Sequence, residues 1–353
     1  MPGLKRKKVV AQLPAHVRPG NIAERYGPEL EALSPIADLV EVAGTDADAF
    51  AEGAGDADAI ITSWGIRFDR RMIGKLDKCV VIGVGSVGVD MVDIAAATEA
   101  GIVVTNVPDV FIEEVADHAM MLLLAAGRRI RVMEKTIAAG DWFRGRGILE
   151  DVPRLMGQTL GLFAFGNIAR CTARRAMAFG MRVIAHDPYV SELTLSEAGV
   201  EPVGFDELLE RSDYLSIHAP LNDETRRRFD AAAFARVKPT AVLVNTARGP
   251  IVDESALIDA LAGGQLAAAG LDVLETEPIQ PDNALLRMDN VVLTPHVASA
   301  TTRMRPETRR RVGREVALVL RNRWPRSCVN PTVLPKVSLE RWQPYPMNRG
   351  PNR

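Results

Sequence analysis

Residues 159–170 read TLGLFAFGNIAR, and the fold of the chain turns on them. Thr159 to Phe163 make an apolar run of strand length, NIAR opens a helical pattern, and Gly166 stands at the join. Asp187 follows Gly166 by twenty-one residues. A dinucleotide-binding unit uses this spacing: the pyrophosphate rests on the helix N-terminus and the acidic side chain accepts from ribose hydroxyls. Of the three glycines such a turn normally carries, only Gly166 is present; Ala164 and Ala169 occupy the other positions. Alanine is tolerated at the third. At the first it predicts a turn with φ below zero, since a Cβ disfavours the left-handed region. For the stretch taken alone, the alternative to a nucleotide site is an ordinary tight strand-to-helix turn.

Working outward, apolar strand-like runs alternate with helix-length segments, the pattern of βαβ units and parallel sheets. KVVAQL, DLVEVA, ADAIITSW, CVVIGVG and IVVTNV make a first series; TLGLFAFG, RVIAHD, DYLSIHA, AVLVNTA, AAAGLDVL and VVLTPH make a second. Between them, EEVADHAMMLLLAAGRRIRVMEKTIAAG keeps helical periodicity from Glu113 to about Gly140 and is expected to be a long helix connecting two domains.

Composition excludes several classes. A chain of 353 residues with 47% hydrophobic and 25% charged content can bury two cores. A net charge of −2 gives no footprint for nucleic acid or an anionic membrane, which points to a small-molecule partner. Cys79, Cys171 and Cys328 are too few and too scattered for a disulfide framework or a zinc cluster, so no metal and a cytoplasmic location are expected. The longest apolar run, Ala119 to Gly127, is far short of the roughly 20 residues that span a bilayer. The opening MPGLKRKKVVAQL is basic but lacks a signal-peptide h-region, and reads as a solvated start to the first strand.

Chemistry-bearing side chains gather late, at strand ends. Arg248 follows the buried run Ala241–Val244 in a tight turn closed by Gly249 and Pro250, and Asp253 is a good N-cap for the next helix. Glu277 lies just beyond the strand carrying Asp272, and His296 follows another buried strand. The carboxyl ends of strands are where open α/β sheets bind ligands. A lone arginine beside glycine is usually a surface turn, a lone glutamate a solvated side chain, and a lone histidine a satisfied core or capping group. Three such groups at consecutive strand ends of a dinucleotide-type unit are harder to dismiss. His118, within VADHAMM, reads as helix packing or an interdomain hydrogen bond, and His218 as structural near the cofactor; His16 and His186 stay unassigned.

With NTARGPIVDE, LDVLETEP and TPHVAS in that order, the chain resembles the NAD-dependent D-isomer-specific 2-hydroxyacid dehydrogenases, which include phosphoglycerate dehydrogenase, glyoxylate reductase and the C-terminal-binding-protein corepressors. The resemblance runs from about Val9 to Pro335. It implies an α/β architecture of two doubly wound parallel sheets: a Rossmann NAD-binding domain, 109–299, inserted into a flavodoxin-like substrate domain of 1–108 and 300–336. The tail 337–353, rich in proline and polar residues, is expected to be flexible or to order on docking. TTRMRPETRRRVGREVALVLRN has alternating charge suited to a partly exposed helix.

The resemblance also implies roles. Arg248 would clamp the substrate carboxylate and polarise the 2-oxo oxygen, and His296 would be the acid/base, with Glu277, next to Pro278, as its carboxylate partner and Glu275 the nearby decoy. Gly166, Asn167 and Ile168 would meet the pyrophosphate, Asp187 the ribose, Ala219 the adenosine half, and Thr246, Asp272, Arg248 and His296 the nicotinamide side. Val87 and Gly88 would offer backbone N–H groups to the substrate anion. Asp187 would repel a 2′-phosphate and PYVSEL supplies no arginine, which favours NAD over NADP. Family members commonly have arginine at Val84 and glycine at Ser86, and phosphoglycerate dehydrogenases tend to place an arginine where Thr62 stands, so a phosphorylated substrate is disfavoured. Trp64 would either close an apolar side of the pocket or pack between domains. By resemblance the long helix and the arm DWFRGRGILEDVPRL are homodimer surfaces. The implied activity is reversible reduction of a small 2-oxo acid to the (R)-2-hydroxy acid by NADH. An NAD-responsive corepressor-like binding protein, a phosphoglycerate dehydrogenase and a formate dehydrogenase are the alternatives, and the carboxylate at Glu277 speaks against the last.

Overall fold

The computed structural model describes residues 6–14, 20–44, 46–62 and 65–342. Met1–Lys5, His16, Ser63, Trp64 and residues 343–353, on which sequence expectations fall, lie outside the described residues. The chain divides into two compact units, one from residues 1–110 and 302–353, the other from 111–301.

In the first unit five short strands pair in parallel: β1 (Lys7–Pro14), β2 (Ala37–Gly44), β3 (Ala59–Thr62), β4 (Val81–Val84) and β5 (Val103–Thr105), in the order β2-β1-β3-β4-β5. This is the flavodoxin-like order. Register explains the core: Val10 stands opposite Ile60, Ile60 opposite Ile82, and Ile82 opposite Val104. The four form one buried row packed with Phe50, Phe68 and Leu76. Strands with both faces covered read as continuous apolar runs, which is why the sequence displays them so plainly.

Seven parallel strands build the second unit: β6 (Thr159–Phe163), β7 (Arg182–His186), β8 (Glu201–Pro202), β9 (Tyr214–Ile217), β10 (Val242–Asn245), β11 (Ala268–Leu271) and β12 (Val291–Leu293). Their order, β12-β11-β10-β9-β6-β7-β8, is the doubly wound dinucleotide-binding order with one added strand, and it reverses direction between β6 and β9. The pleat divides the residues between two cores. Leu243 and Leu215 face one side with Phe229, Leu257 and Leu261. Leu160, Leu162, Val242 and Val244 face the other with Leu122 and Leu123.

The segment after Glu113 is two helices rather than one, Ile112–Gly127 and Ile130–Ala138. The break falls at Arg129, in the left-handed region at φ 51°, whose guanidinium bonds the Ile148 carbonyl (2.7 Å) and both Asp151 oxygens (2.8 and 2.7 Å). Unbroken periodicity conceals this, because the groups that end the first helix are twenty residues downstream. The return segment is the helix Met304–Leu320, burying Val312, Val316 and Val319 while Arg309 and Arg310 bond Glu29 and Glu31. Beyond it Trp324 N–H donates to the Glu340 carbonyl (2.8 Å) and Trp342 Nε1–H to the Trp324 carbonyl (2.9 Å). Among the described residues no helix is long and apolar enough to cross a membrane.

Candidate active site

The carboxyl ends of β6, β7, β10, β11 and β12 carry almost every residue singled out in the second unit. After β10, Asn245 is fully buried and makes a local clamp: its Oδ1 accepts from Ala247 N–H (3.0 Å) and its Nδ2 donates to the Arg248 carbonyl (3.0 Å). This shapes the turn that presents Arg248, half-buried, before the short 3₁₀ turn Gly249–Ile251. Gly249 allows the loop after β11 to pass: a Cβ there would lie 1.8 Å from the Leu274 carbonyl oxygen. The Arg248 turn and the loop leading to Glu277 therefore touch backbone to backbone. Asp253 caps the following helix, Glu254–Ala262, by accepting from Ala256 N–H.

Glu277 and His296 meet. Glu277 Oε2 is 2.7 Å from His296 Nδ1, and Glu277 Oε1 accepts from Leu274 N–H at 3.0 Å. Partial burial works to raise the Glu277 carboxyl. The hydrogen bond from His296, the Leu274 N–H and the charges of His296 and Arg248 outweigh it and hold the group below its usual value. Glu275, two residues earlier, is committed elsewhere: it bonds Arg227 (2.7 Å) and exchanges bonds with Glu254 at the start of a helix.

His296 adopts φ 54°, a left-handed backbone that a histidine rarely takes. Its N–H donates to the carbonyls of Asp272 (2.8 Å) and Thr294 (3.1 Å). Asp272 itself is buried, and its carboxylate accepts from Thr294 Oγ1 (2.5 Å), Val297 N–H (2.9 Å) and Ala298 N–H (2.9 Å). His118 Nε2 lies 2.9 Å from Thr294 Oγ1. Both belong to the unit 111–301, so this contact is not an interdomain one. His218, after β9, sits 2.9 Å from Ser216 Oγ, and burial pushes its imidazole down to about 4, leaving it neutral near pH 7.

At the other end of the sheet, Gly166 precedes the twelve-residue helix Asn167–Ala178, so Asn167 and Ile168 supply the first uncapped N–H groups. A Cβ on Gly166 would meet nothing within 4 Å among the described residues. The first-glycine position departs from expectation: Ala164 has φ 74° rather than a negative value. Flanking hydrogen bonds impose this, from Ala164 N–H to the His186 carbonyl (2.9 Å) and from Phe165 N–H to Asp187 Oδ2 (2.8 Å). The main chain is pinned to β7 on both sides, and the alanine Cβ is carried along. Asp187 is fixed further by Tyr189 N–H on Oδ1 (2.9 Å). Ala219 is buried just after β9, and Thr246 Oγ1 is a buried hydroxyl with no hydrogen-bond partner among the described residues.

Those features fit NAD. An open glycine at an uncapped helix N-terminus suits a pyrophosphate, an anchored carboxylate one strand over suits a ribose, and an orphaned hydroxyl at the end of β10 suits the polar rim of the nicotinamide. Val87 and Gly88 belong to the first unit, in the loop after β4. There Ser86 Oγ–H donates to the Gly88 carbonyl (2.6 Å) and Asn106 Nδ2 to the Val87 carbonyl (2.7 Å), so the serine that replaces a glycine ties the loop locally. Thr62 pairs with the Gln12 side chain. Asn245 and Thr294 were not identifiable from spacing, although Asn245 shows as a polar side chain ending a buried strand; His118 reads in the sequence as packing or hydrogen bonding, without Thr294 as its partner.

Fold and site together define an α/β dinucleotide-binding protein with a histidine–carboxylate pair at its strand ends. The model of the D-isomer specific 2-hydroxyacid dehydrogenase, NAD binding domain, matches residues 120–298. D-3-phosphoglycerate dehydrogenase of Methanocaldococcus jannaschii is 37% identical over 319 residues, 90% of this chain and 60% of that protein. Glyoxylate reductase of Korarchaeum cryptofilum is 39% identical over 280 residues, 79% of this chain and 84% of that protein. The crystal structure of a glyoxylate reductase from Paecilomyes thermophila matches with a TM-score of 0.80 at 32% identity, covering 93% of this chain and 99% of that one. The chain belongs to the D-isomer-specific 2-hydroxyacid dehydrogenase family. It spans about three fifths of the length of the M. jannaschii relative.

Proposed function

We propose that this protein is an NAD-dependent D-2-hydroxyacid dehydrogenase that interconverts a small 2-oxo acid and the (R)-2-hydroxy acid. The 2.7 Å contact between His296 and Glu277, beside Arg248, carries the reading. Arg248 binds the substrate carboxylate and polarises the 2-oxo oxygen, since its guanidinium stays charged and offers a forked set of donors. Val87 and Gly88, in the loop after β4, offer backbone N–H groups suited to a carboxylate. With Nδ1 committed to Glu277, the proton in play is the one on His296 Nε2, given to the carbonyl oxygen in reduction and taken from the hydroxyl in oxidation. NADH, when bound, supplies the hydride. Gly166, Asn167, Ile168, Asp187 and Ala219 would hold its adenosine diphosphate half, and Thr246, Asp272, Arg248 and His296 its nicotinamide side.

Asp187 supports NAD over NADP, because its carboxylate would meet a 2′-phosphate with like charge. The bond from Thr62 to Gln12 leaves an uncharged pair where an arginine would greet a phosphorylated substrate, which supports an unphosphorylated acid. The three cysteines are free, consistent with a reducing cytoplasm. A homodimer is the assembly we propose, through the exposed arm after Ile137.

The test is a panel of 2-oxo acids with NADH and NADPH, followed by absorbance. Turnover of about 1 s⁻¹ or more on one of them, with NADH preferred, is expected. Arg248→Ala should lower kcat/KM on the best substrate by about 100-fold or more, roughly 3 kcal/mol. Tight NAD binding without turnover on any acid would overturn the enzymatic reading in favour of an NAD-responsive binding protein.

A further inference from the structure

One polar chain in the second unit runs from a helix to the loop that carries His296. His118, mostly buried in the helix Ile112–Gly127, places Nε2 2.9 Å from Thr294 Oγ1 and 3.5 Å from Asp272 Oδ1. Thr294 Oγ1 is in turn 2.5 Å from Asp272 Oδ1. An ionised carboxylate only accepts, so the threonine proton points to Asp272. Thr294 oxygen must then accept from His118, which puts a proton on His118 Nε2. The direction of the relay is fixed: imidazole N–H to hydroxyl, hydroxyl to carboxylate.

Burial of Asp272 works against its ionisation, but His118, Thr294 and the N–H groups of Val297 and Ala298 together hold its carboxyl below the usual value. Asp272 grips the loop at both ends of its own residue. Its carboxylate takes Thr294, Val297 and Ala298, and its main-chain carbonyl takes His296 N–H at 2.8 Å. The residue between these grips, His296, is the one in the left-handed region at φ 54°. Strain of that kind persists only where the surroundings over-determine it.

We propose that His118 is a positioning residue for the acid/base histidine: through Thr294 and Asp272 it fixes the 294–298 loop so that the His296 ring meets Glu277. This rests on His296 being the acid/base group. The partners of His118 in this relay are Thr294 and Asp272, and it acts on the His296 ring through them.

Four variants test it: His118→Leu and Thr294→Val break the relay, while His118→Gln and Thr294→Ser keep an N–H and a hydroxyl at its joints. The breaking pair should lower kcat by about 10- to 100-fold, with the KM values for 2-oxo acid and NADH changing less than about threefold. The conserving pair should recover most of that loss. His118→Leu combined with Thr294→Val should be no worse than the worse single change, since both cut one chain. A second readout needs no turnover: in ¹⁵N-edited spectra of the substrate-free protein, the proton between His296 Nδ1 and Glu277 should shift or broaden in His118→Leu and stay in place in His118→Gln. It reports on the relay even if no 2-oxo acid is reduced, in which case the failure belongs to the proposed activity. Wild-type kcat with an unchanged His296 ring signal in His118→Leu would overturn the inference, as would Thr294→Ser losing as much as Thr294→Val.

Discussion

At the scale of single residues, the pairing of Glu277 with His296 has a pH consequence whose sign can be worked out. The Glu277 carboxyl is held below its ordinary 4.5, so it remains ionised, and keeps its charge beside His296 Nδ1, until the pH falls through that lowered value. Reduction needs the protonated ring, so loss of activity on the alkaline side reports deprotonation of the acid. Glu277→Gln removes the carboxylate that faces His296 Nδ1 and should move the alkaline limb of the kcat/KM profile for 2-oxo acid reduction toward lower pH. A limb that stays in place would dissolve the pair as a functional unit. The sequence separates Glu277 from Glu275 only through its place before Pro278 in a family pattern; in the structure Arg227 and Glu254 occupy Glu275 instead. The sequence shows His118 only as a packing or hydrogen-bonding residue and Thr294 only as the start of TPHVAS, because their meeting joins a helix and a strand end 176 residues apart.

At the scale of elements, runs such as AVLVN and TLGLF announced their strands because both faces of each parallel sheet are covered, leaving no polar alternation to confuse the pattern. Turns were less legible. The fingerprint turn takes its shape from hydrogen bonds to β7, which local propensity does not register, and so Ala164 reaches φ 74° against its own preference. That conformation costs an alanine on the order of 1 kcal/mol relative to glycine. Ala164→Gly should therefore stabilise the protein by about 1 kcal/mol, or roughly 2–4 °C in melting temperature for a unit of this size. Ala169→Gly, inside the next helix, should do the opposite by a similar amount. A lower melting temperature for Ala164→Gly would mean that the turn carries no strain. The same blindness to distant partners explains the helix break at Arg129, which Ile148 and Asp151 stabilise from downstream.

At the scale of the whole molecule, two parallel sheets followed from the alternation of apolar runs, which omit only β8 (Glu201–Pro202), while the two strand orders and the proposed dimer surface came by resemblance. The structure adds a physical motive. Trp142 and Phe143 are 74% and 95% exposed, and Ile137 and Met156 are each 59% exposed, all within twenty residues of the second unit. Each such side chain gains roughly 1.5–3 kcal/mol when fully buried, and a twofold interface would cover the set on both copies at once. Light scattering after gel filtration should thus give twice the chain mass of 38.4 kDa at micromolar concentration. Trp142→Glu together with Phe143→Glu should give a monomer, because two buried carboxylates per subunit cost more than the lost apolar contacts alone. The helix Ile130–Ala138 and the short turns that follow contribute none of the buried core of their unit, so the doubly substituted chain should keep its fold and melt cooperatively. A wild-type protein that runs as a monomer, or a double variant that stays dimeric, would leave these aromatic side chains without the partner proposed for them.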